Sequence, residues 1–383
     1  MPYGSPPLNV NPIYVTRPNL PPLADFLPYL EKIWASKVLT NNGPFHEELE
    51  AAVADYLGVK HLCLVANGTL ALITSLQALR IAGEVITTPF SFVATTHALH
   101  WSGCKPVFVD VDPETGNLDP ALIEAAITPQ TTAILPVHVY GNPCDVAEIQ
   151  RIAQTYWVKV IYDAAHTFGA RFNGESLASF GDLAAMSFHA TKVFNTFEGG
   201  AIVCRDAEMK KRIDFLKNFG FADEVTVVAP GMNGKMNEFQ SALGLLQLDH
   251  LDAALVARER IGNRYREGFA GVAGLRSFSY RAGVSPNHAY YPILVDGSYG
   301  ITRDALYHKL RAHGIVARRY FYPLISSFPA YRGLPSARPD NLPVATRLAE
   351  QVLCLPIYPG LEEHDQDRII DLVAHPHAGV TTH

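Results

Sequence analysis

Between residues 45 and 206 the chain alternates two kinds of hydrophobic pattern. The stretches HLCLVAN, EVITTPF, PVFVDVD, TAILPVHVY, KVIYDAA, AAMSFHA and GAIVC are short, continuous apolar runs. Such runs, bounded by Gly, Pro or Asp, predict strands covered on both faces. Around them, PFHEELEAAVADYLG and GTLALITSLQALRIAG carry apolar residues at helical spacing. Seven strands interleaved with helices predict an α/β domain on a mostly parallel sheet. After Met236 the pattern changes. Asn237, with Gln240 three residues on, is expected to cap a long helix through EFQSALGLLQLDHLDAALVARERIGNRYREGF. Beyond it come HAYYPILV, IVARRYFYP and helical patterns near ITRDALYHKLRAHG, LPVATRLAEQVL and LEEHDQDRIIDLVA. The expected organisation is a large α/β domain over residues 1–250 and a smaller α+β domain over 251–383. The long helix bridges them, and the Pro-rich start runs extended over the surface.

Composition narrows the class. Of 383 residues, 48% are hydrophobic and 18% charged, as in a soluble enzyme and too apolar for disorder. A formal charge of -6 argues against holding nucleic acid by counterion release, and no basic run suits anionic lipid. No apolar run approaches the roughly 20 residues of a membrane span, and the N-terminus lacks a signal-peptide pattern. Cysteines 63, 104, 144, 204 and 354 are scattered with no CxxC pair. That fits reduced thiols in the cytoplasm and speaks against a disulfide framework or a metal site.

In open parallel sheets ligands collect beyond the carboxyl ends of the strands, so polar residues just after each strand carry the candidate chemistry. In Ala66-Asn67-Gly68-Thr69 a strand turns directly into a helix, whose first amides favour an anion such as phosphate. An ordinary turn with an N-cap reads the same way. Asp163 closes KVIYDAAH; a buried carboxylate there either organises a loop or accepts a hydrogen bond from a protonated ring nitrogen. His166 is placed to orient that carboxylate or to stack on a ring. In SFHATK, Lys192 stands between two apolar strands with Ser187 and Thr191 nearby. A lysine among apolar neighbours loses its proton more readily and becomes an amine nucleophile, able to form a Schiff base with an aldehyde cofactor. Ser187 can bind the phosphate of the same cofactor. Phe92 offers an aromatic face after another strand, and Gly231-Met232-Asn233-Gly234-Lys235 suits a phosphate-contacting loop or a plain helix entry. A phosphate cradle, an aromatic plate, a ring-nitrogen acceptor and an amine after successive strands match the needs of pyridoxal phosphate (PLP). Lys235, Arg318 and Arg319 are candidate cations for an anionic substrate. Tyr320 and Tyr322 suit a substrate pocket, or equally surface or dimer-interface packing.

These residues resemble the sugar aminotransferases of the DegT/DnrJ/EryC1/StrS family, which have the aspartate aminotransferase fold (fold type I). The resemblance runs from about Arg17 to Ile370, through VANGTLAL, TPFSFVATTHAL, YDAAHTFGA, SFHATKVFNTFEGGAIV and GMNGKMNEFQSALGLLQL among others. It implies that Lys192 holds the cofactor covalently, that Asp163 pairs with the pyridine nitrogen and that His166 lies against the ring. It assigns Gly68, Thr69 and Ser187 to the phosphate and Phe92 to the other ring face. Asn233 matches a residue that reaches the neighbouring subunit's phosphate, implying a homodimer with shared active sites. The implied donor is L-glutamate. The implied acceptor is a nucleotide-linked 4-keto-6-deoxyhexose, dTDP-4-keto-6-deoxyglucose foremost. Two departures stand out. Many members have Asn-Tyr-Arg where this chain has Asn233-Gly234-Lys235, which loses the fork geometry of Arg. Many have Gln in place of His166, and His goes more often with amination at C4 than at C3. Amination at C3, 3-dehydration and a regulatory cofactor-binding role are the alternatives. Dehydrases of the family carry His where Lys192 stands, and no DNA-binding segment accompanies this chain.

Overall fold

The structure, a computed structural model, describes residues 11–377. Each of the seven apolar runs forms a strand: β1 His61–Val65, β2 Glu84–Thr87, β3 Lys105–Phe108, β4 Thr131–Leu135, β5 Lys159–Asp163, β6 Leu183–Ser187 and β7 Gly200–Cys204. They form one sheet in the order β1-β7-β6-β5-β4-β2-β3. All neighbours are parallel except those of β7, which runs antiparallel to both β1 and β6. The reversal has a simple cause. The segment between β6 and β7 contains no crossover helix, and a parallel return needs one.

Side chains alternate across the sheet, and both faces are covered. Leu62, Leu64, Ile134, Val160 and Tyr162 pack on the side of helices Leu23–Ser36, Pro44–Leu57 and Val146–Tyr156. Cys63, Val65, Ala133, Leu135 and Ile161 pack on the side of helices Gly68–Ala78, Ala94–Trp101 and Ala207–Leu216. The long helix spans Glu238–Gly268 and opens with a capping box between Asn237 and Gln240. It runs unbroken through residues 250 and 251. Leu245, Leu246 and Leu251 belong to the sheet's core, and Ile261 and Tyr265 to a second core. That second core covers an antiparallel sheet in the order β8-β9-β10, with β8 Leu275–Ser277, β9 Tyr291–Val295 and β10 Val352–Leu355.

The N-terminal segment departs from the expectation. Residues 1–10 and the final TTH lie outside the described residues. Ile13–Val15 is tied into the fold, while Arg17, Pro18 and Leu20 stay exposed along the surface. Ile13–Tyr14 pairs in parallel with Ile315–Val316, and Ile13 and Val15 are buried. The alternation Ile13-Tyr14-Val15 presents an apolar edge that the C-terminal core covers.

Candidate active site

β1, β2, β5 and β6 run in one direction, so their carboxyl ends share an edge of the sheet, and β7 begins there. Asp163, the last residue of β5, is 5% exposed. Its Oδ2 accepts from Thr95 Oγ1 at 2.7 Å and its Oδ1 from the Ala165 amide at 3.1 Å. Burial pushes this carboxyl up, while the two hydrogen bonds and the charge of Lys192 draw it back. One donor on each oxygen leaves lone pairs for a further partner. His166 is buried, with Nδ1 accepting from the Tyr140 amide at 3.2 Å. Burial, reinforced by Lys192, holds its ring well below the usual imidazole range. The imidazole is therefore neutral, with its proton on Nε2. Phe321 lies parallel to it at 6.0 Å and 7°, and Tyr290 meets it edge-on at 5.0 Å.

From β6 the chain turns tightly over this edge. Phe188 and Gly199 are joined by a 2.8 Å amide hydrogen bond, and Thr196 donates to the Phe188 carbonyl at 2.9 Å. A Cβ on Gly199 would lie 2.0 Å from Thr196 Oγ1, and one on Gly200 would lie 2.7 Å from the Met186 carbonyl. The Gly pair is thus a packing requirement of the turn. Inside it, Lys192 is half-buried with its ammonium 6.0 Å from the centre of the Tyr290 ring. Among the described residues no carboxylate comes within ion-pair distance of it. Burial lowers its pKa to about 8, partly countered by Asp163.

Gly200 pairs with Val65 on one side and Ser187 on the other, which brings the turn after β1 against Ser187. A Cβ on Gly68 would stand 2.7 Å from Ser187 Cβ. Asn67 caps the following helix by accepting from the Leu70 amide at 2.9 Å, and the first-turn amides of Gly68 and Thr69 have no partner within the helix. The Gly234 carbonyl accepts the Ala66 amide at 2.7 Å, which seats the loop carrying exposed Asn233 beside this turn. Phe92, 57% exposed, leaves its ring open over the same edge region, its carbonyl taking the Thr95 amide.

The substrate candidates divide. Tyr320 meets Tyr290 edge-on at 5.9 Å and so joins the wall around Lys192. Arg318 pairs through its backbone with Cys354. Lys235 donates to Asn218 Oδ1 at 2.7 Å and lies 5.2 Å over the Phe219 ring. Arg319 and Tyr322 belong to another cluster. The Arg319 guanidinium bonds Asp304 at 3.0 Å and lies over the rings of Tyr307 and Tyr322. Three site residues are absent from the set that the sequence suggests. Thr95 was within reach, as a hydroxyl in the first turn of the helix that follows β2. Tyr290 and Phe321 come from the C-terminal part of the chain, and no local spacing points to them.

The set fits PLP. A cradle that a Cβ would fill, a buried carboxylate with spare lone pairs and an unpaired amine answer its phosphate, ring nitrogen and aldehyde in turn.

The model of the DegT/DnrJ/EryC1/StrS aminotransferase family matches residues 23–374. The chain is 52% identical over 370 residues to a dTDP-4-amino-4,6-dideoxy-D-glucose transaminase of Escherichia coli, covering 96% of this chain and 99% of that protein. Among solved structures, DesI in the presence of its TDP-sugar product is 38% identical with a TM-score of 0.91, covering 95% of this chain and 93% of that one. The PLP form of a putative sugar aminotransferase from Streptococcus pneumoniae is 26% identical with a TM-score of 0.88, covering 95% of this chain and 99% of that one. The chain belongs to the DegT/DnrJ/EryC1/StrS family and is a PLP-dependent aminotransferase.

Proposed function

We propose that the protein transfers the amino group of L-glutamate to dTDP-4-keto-6-deoxyglucose, giving dTDP-4-amino-4,6-dideoxyglucose. The transfer chemistry rests on one observation: Lys192, an amine without a countercharge, shares a sheet edge with buried Asp163. The choice of sugar is supported by the near-full-length similarity to the E. coli transaminase.

When bound, the cofactor supplies an aldehyde that holds amines and a ring that accepts electron density. The chain does the rest. Lys192 holds the cofactor at rest. Once displaced by the donor, its Nζ takes the α-proton of glutamate, and in the second half it delivers a proton to C4 of the sugar. A pKa of about 8 suits both duties, because base and acid forms coexist near neutral pH. Asp163 would accept from the ring N–H and keep that nitrogen protonated. His166 and Phe92 would lie against the ring, His166 being held in place by Phe321 and the Tyr140 amide. Ser187 and the amides of Gly68 and Thr69 take the phosphate. Tyr320, in the wall around Lys192, is the substrate-side candidate that the packing supports, Arg318 precedes it by two residues, and Lys235 keeps a positive charge near the phosphate turn. Arg319 and Tyr322 act instead as a brace through Asp304 and Tyr307.

The same reading includes a homodimer in the cytoplasm. Phe219, Val225, Val227 and Val228 are exposed on the segment leading to Asn233, an apolar surface suited to a second copy. Five free, buried cysteines suit a reducing compartment. No helix among the described residues is long and apolar enough to cross a membrane.

The test is to incubate the purified protein with glutamate and dTDP-4-keto-6-deoxyglucose and to read mass and proton spectra of the product. An amine at C4 is expected. Turnover only of a 3-keto sugar nucleotide would move the assignment to C3 amination. A bound chromophore without glutamate-dependent turnover would leave a binding protein.

A further inference from the structure

The contact between Asp163 and Thr95 is one link of a longer chain. Thr95 is fully buried at the start of helix Ala94–Trp101, and Ser91, 4% exposed, lies four residues before it. Thr95 reaches from the end of β2, past β4, to the end of β5. Its Oγ1 lies 2.7 Å from Asp163 Oδ2, 3.1 Å from the Phe92 carbonyl and 2.9 Å from Ser91 Oγ. A hydroxyl carries a single hydrogen. It goes to the nearer, charged acceptor, where the bond is strongest. Ser91 must then donate to Thr95 Oγ1, so the two hydroxyls point in series at the carboxylate.

This matters because a carboxylate in so dry a place otherwise takes up a proton. A protonated Asp163 would offer a donor where a ring N–H needs an acceptor. We propose that Ser91 and Thr95 are a positioning pair that keeps Asp163 ionised and aimed at the cofactor's ring nitrogen, an inference that rests on the role given to Asp163 above. Neither hydroxyl touches the reacting atoms. They act through the carboxylate, from a helix start and the loop before it, on either side of Phe92.

The experiment is equilibrium dialysis of PLP against cofactor-free protein near neutral pH. Thr95→Val keeps the shape and removes the hydroxyl, and it is expected to weaken PLP roughly ten- to a hundredfold, with the loss widening as pH falls. Thr95→Ser restores the donor and should bring affinity back to within a few-fold of the parent. Added to Asp163→Asn, Thr95→Val should cost little more, because the group it serves is already gone. Ser91→Ala, which removes only the outer link, should give a smaller loss in the same direction. Parental affinity in Thr95→Val overturns the proposal, as does a full additional loss in the Asp163→Asn background. Should Thr95→Val not fold, parental affinity and pH profile in Ser91→Ala overturn it instead. If Asp163→Asn alone binds PLP as the parent does, the role of Asp163 fails first and this one with it.

Discussion

Lys192 and Lys217 both sit away from solvent, in surroundings of opposite kind. Lys217 is fully buried, with its ammonium 2.8 Å from Asp214 and 3.6 Å from Glu50. Lys210 shares the same two carboxylates at 3.2 and 2.6 Å. Two cations and two anions close a network under the sheet, and every charge is answered. Lys192 is less buried, yet faces the Tyr290 ring and no carboxylate within ion-pair distance. Burial makes its proton easier to lose, partly countered by Asp163. Burial lowers the pKa of Lys192 because Asp163 acts on it only from beyond ion-pair distance, whereas the Lys217 ammonium is set directly against two carboxylates.

The largest effect that separates the two is on turnover. Lys192→Ala should lower transamination roughly 10²- to 10⁴-fold from lost proton transfer alone. Its midpoint in urea should be unchanged or raised, since the removed charge had no partner. An active Lys192→Ala enzyme would end the comparison. Lys217→Met should do the reverse. It leaves Glu50 and Asp214 under-compensated and should cost about 2–3 kcal/mol in urea unfolding, somewhat below the loss for a fully buried pair because Asp214 is partly exposed. Activity per folded molecule should stay at the parent's level.

The third prediction concerns pH. Attachment of PLP to the cofactor-free protein needs the neutral amine of Lys192. Its pKa is lowered from 10.5 to about 8, so the neutral fraction grows as pH rises and levels off above that point. Below it, the attachment rate followed by absorbance should fall about tenfold per pH unit. A midpoint near 10 would mean that burial does not loosen the proton of Lys192. The smallest effect is that of Glu50→Gln, which keeps the shape but leaves Lys217 with Asp214 alone. A loss of about 1 kcal/mol in the same unfolding measurement is expected.

Part of this contrast was legible in the chain. Asp214 precedes Lys217 by three residues, one turn back on the same helix. Around Lys192 no acidic residue occurs between Asp182 and Glu198. Asp163, Ser187 and Gly68 were also readable, because each stands where a continuous apolar run stops. Arg319 looked equally promising in RRYFYP, but nothing local announces that Asp304, fifteen residues back, takes its charge.

Strand count, the helix caps and the polar residues at strand ends follow from neighbours in the chain, since apolar periodicity and turn chemistry act over a few residues. Which strand ends share an edge, and that Gly200 draws Ser187 against Gly68, follow from pairing order. The same holds for Thr95 reaching Asp163 across 68 residues, and for Tyr290 and Phe321 closing on His166 from the C-terminal part. Those contacts join segments whose separation along the chain carries no signal, and packing in three dimensions alone selects them.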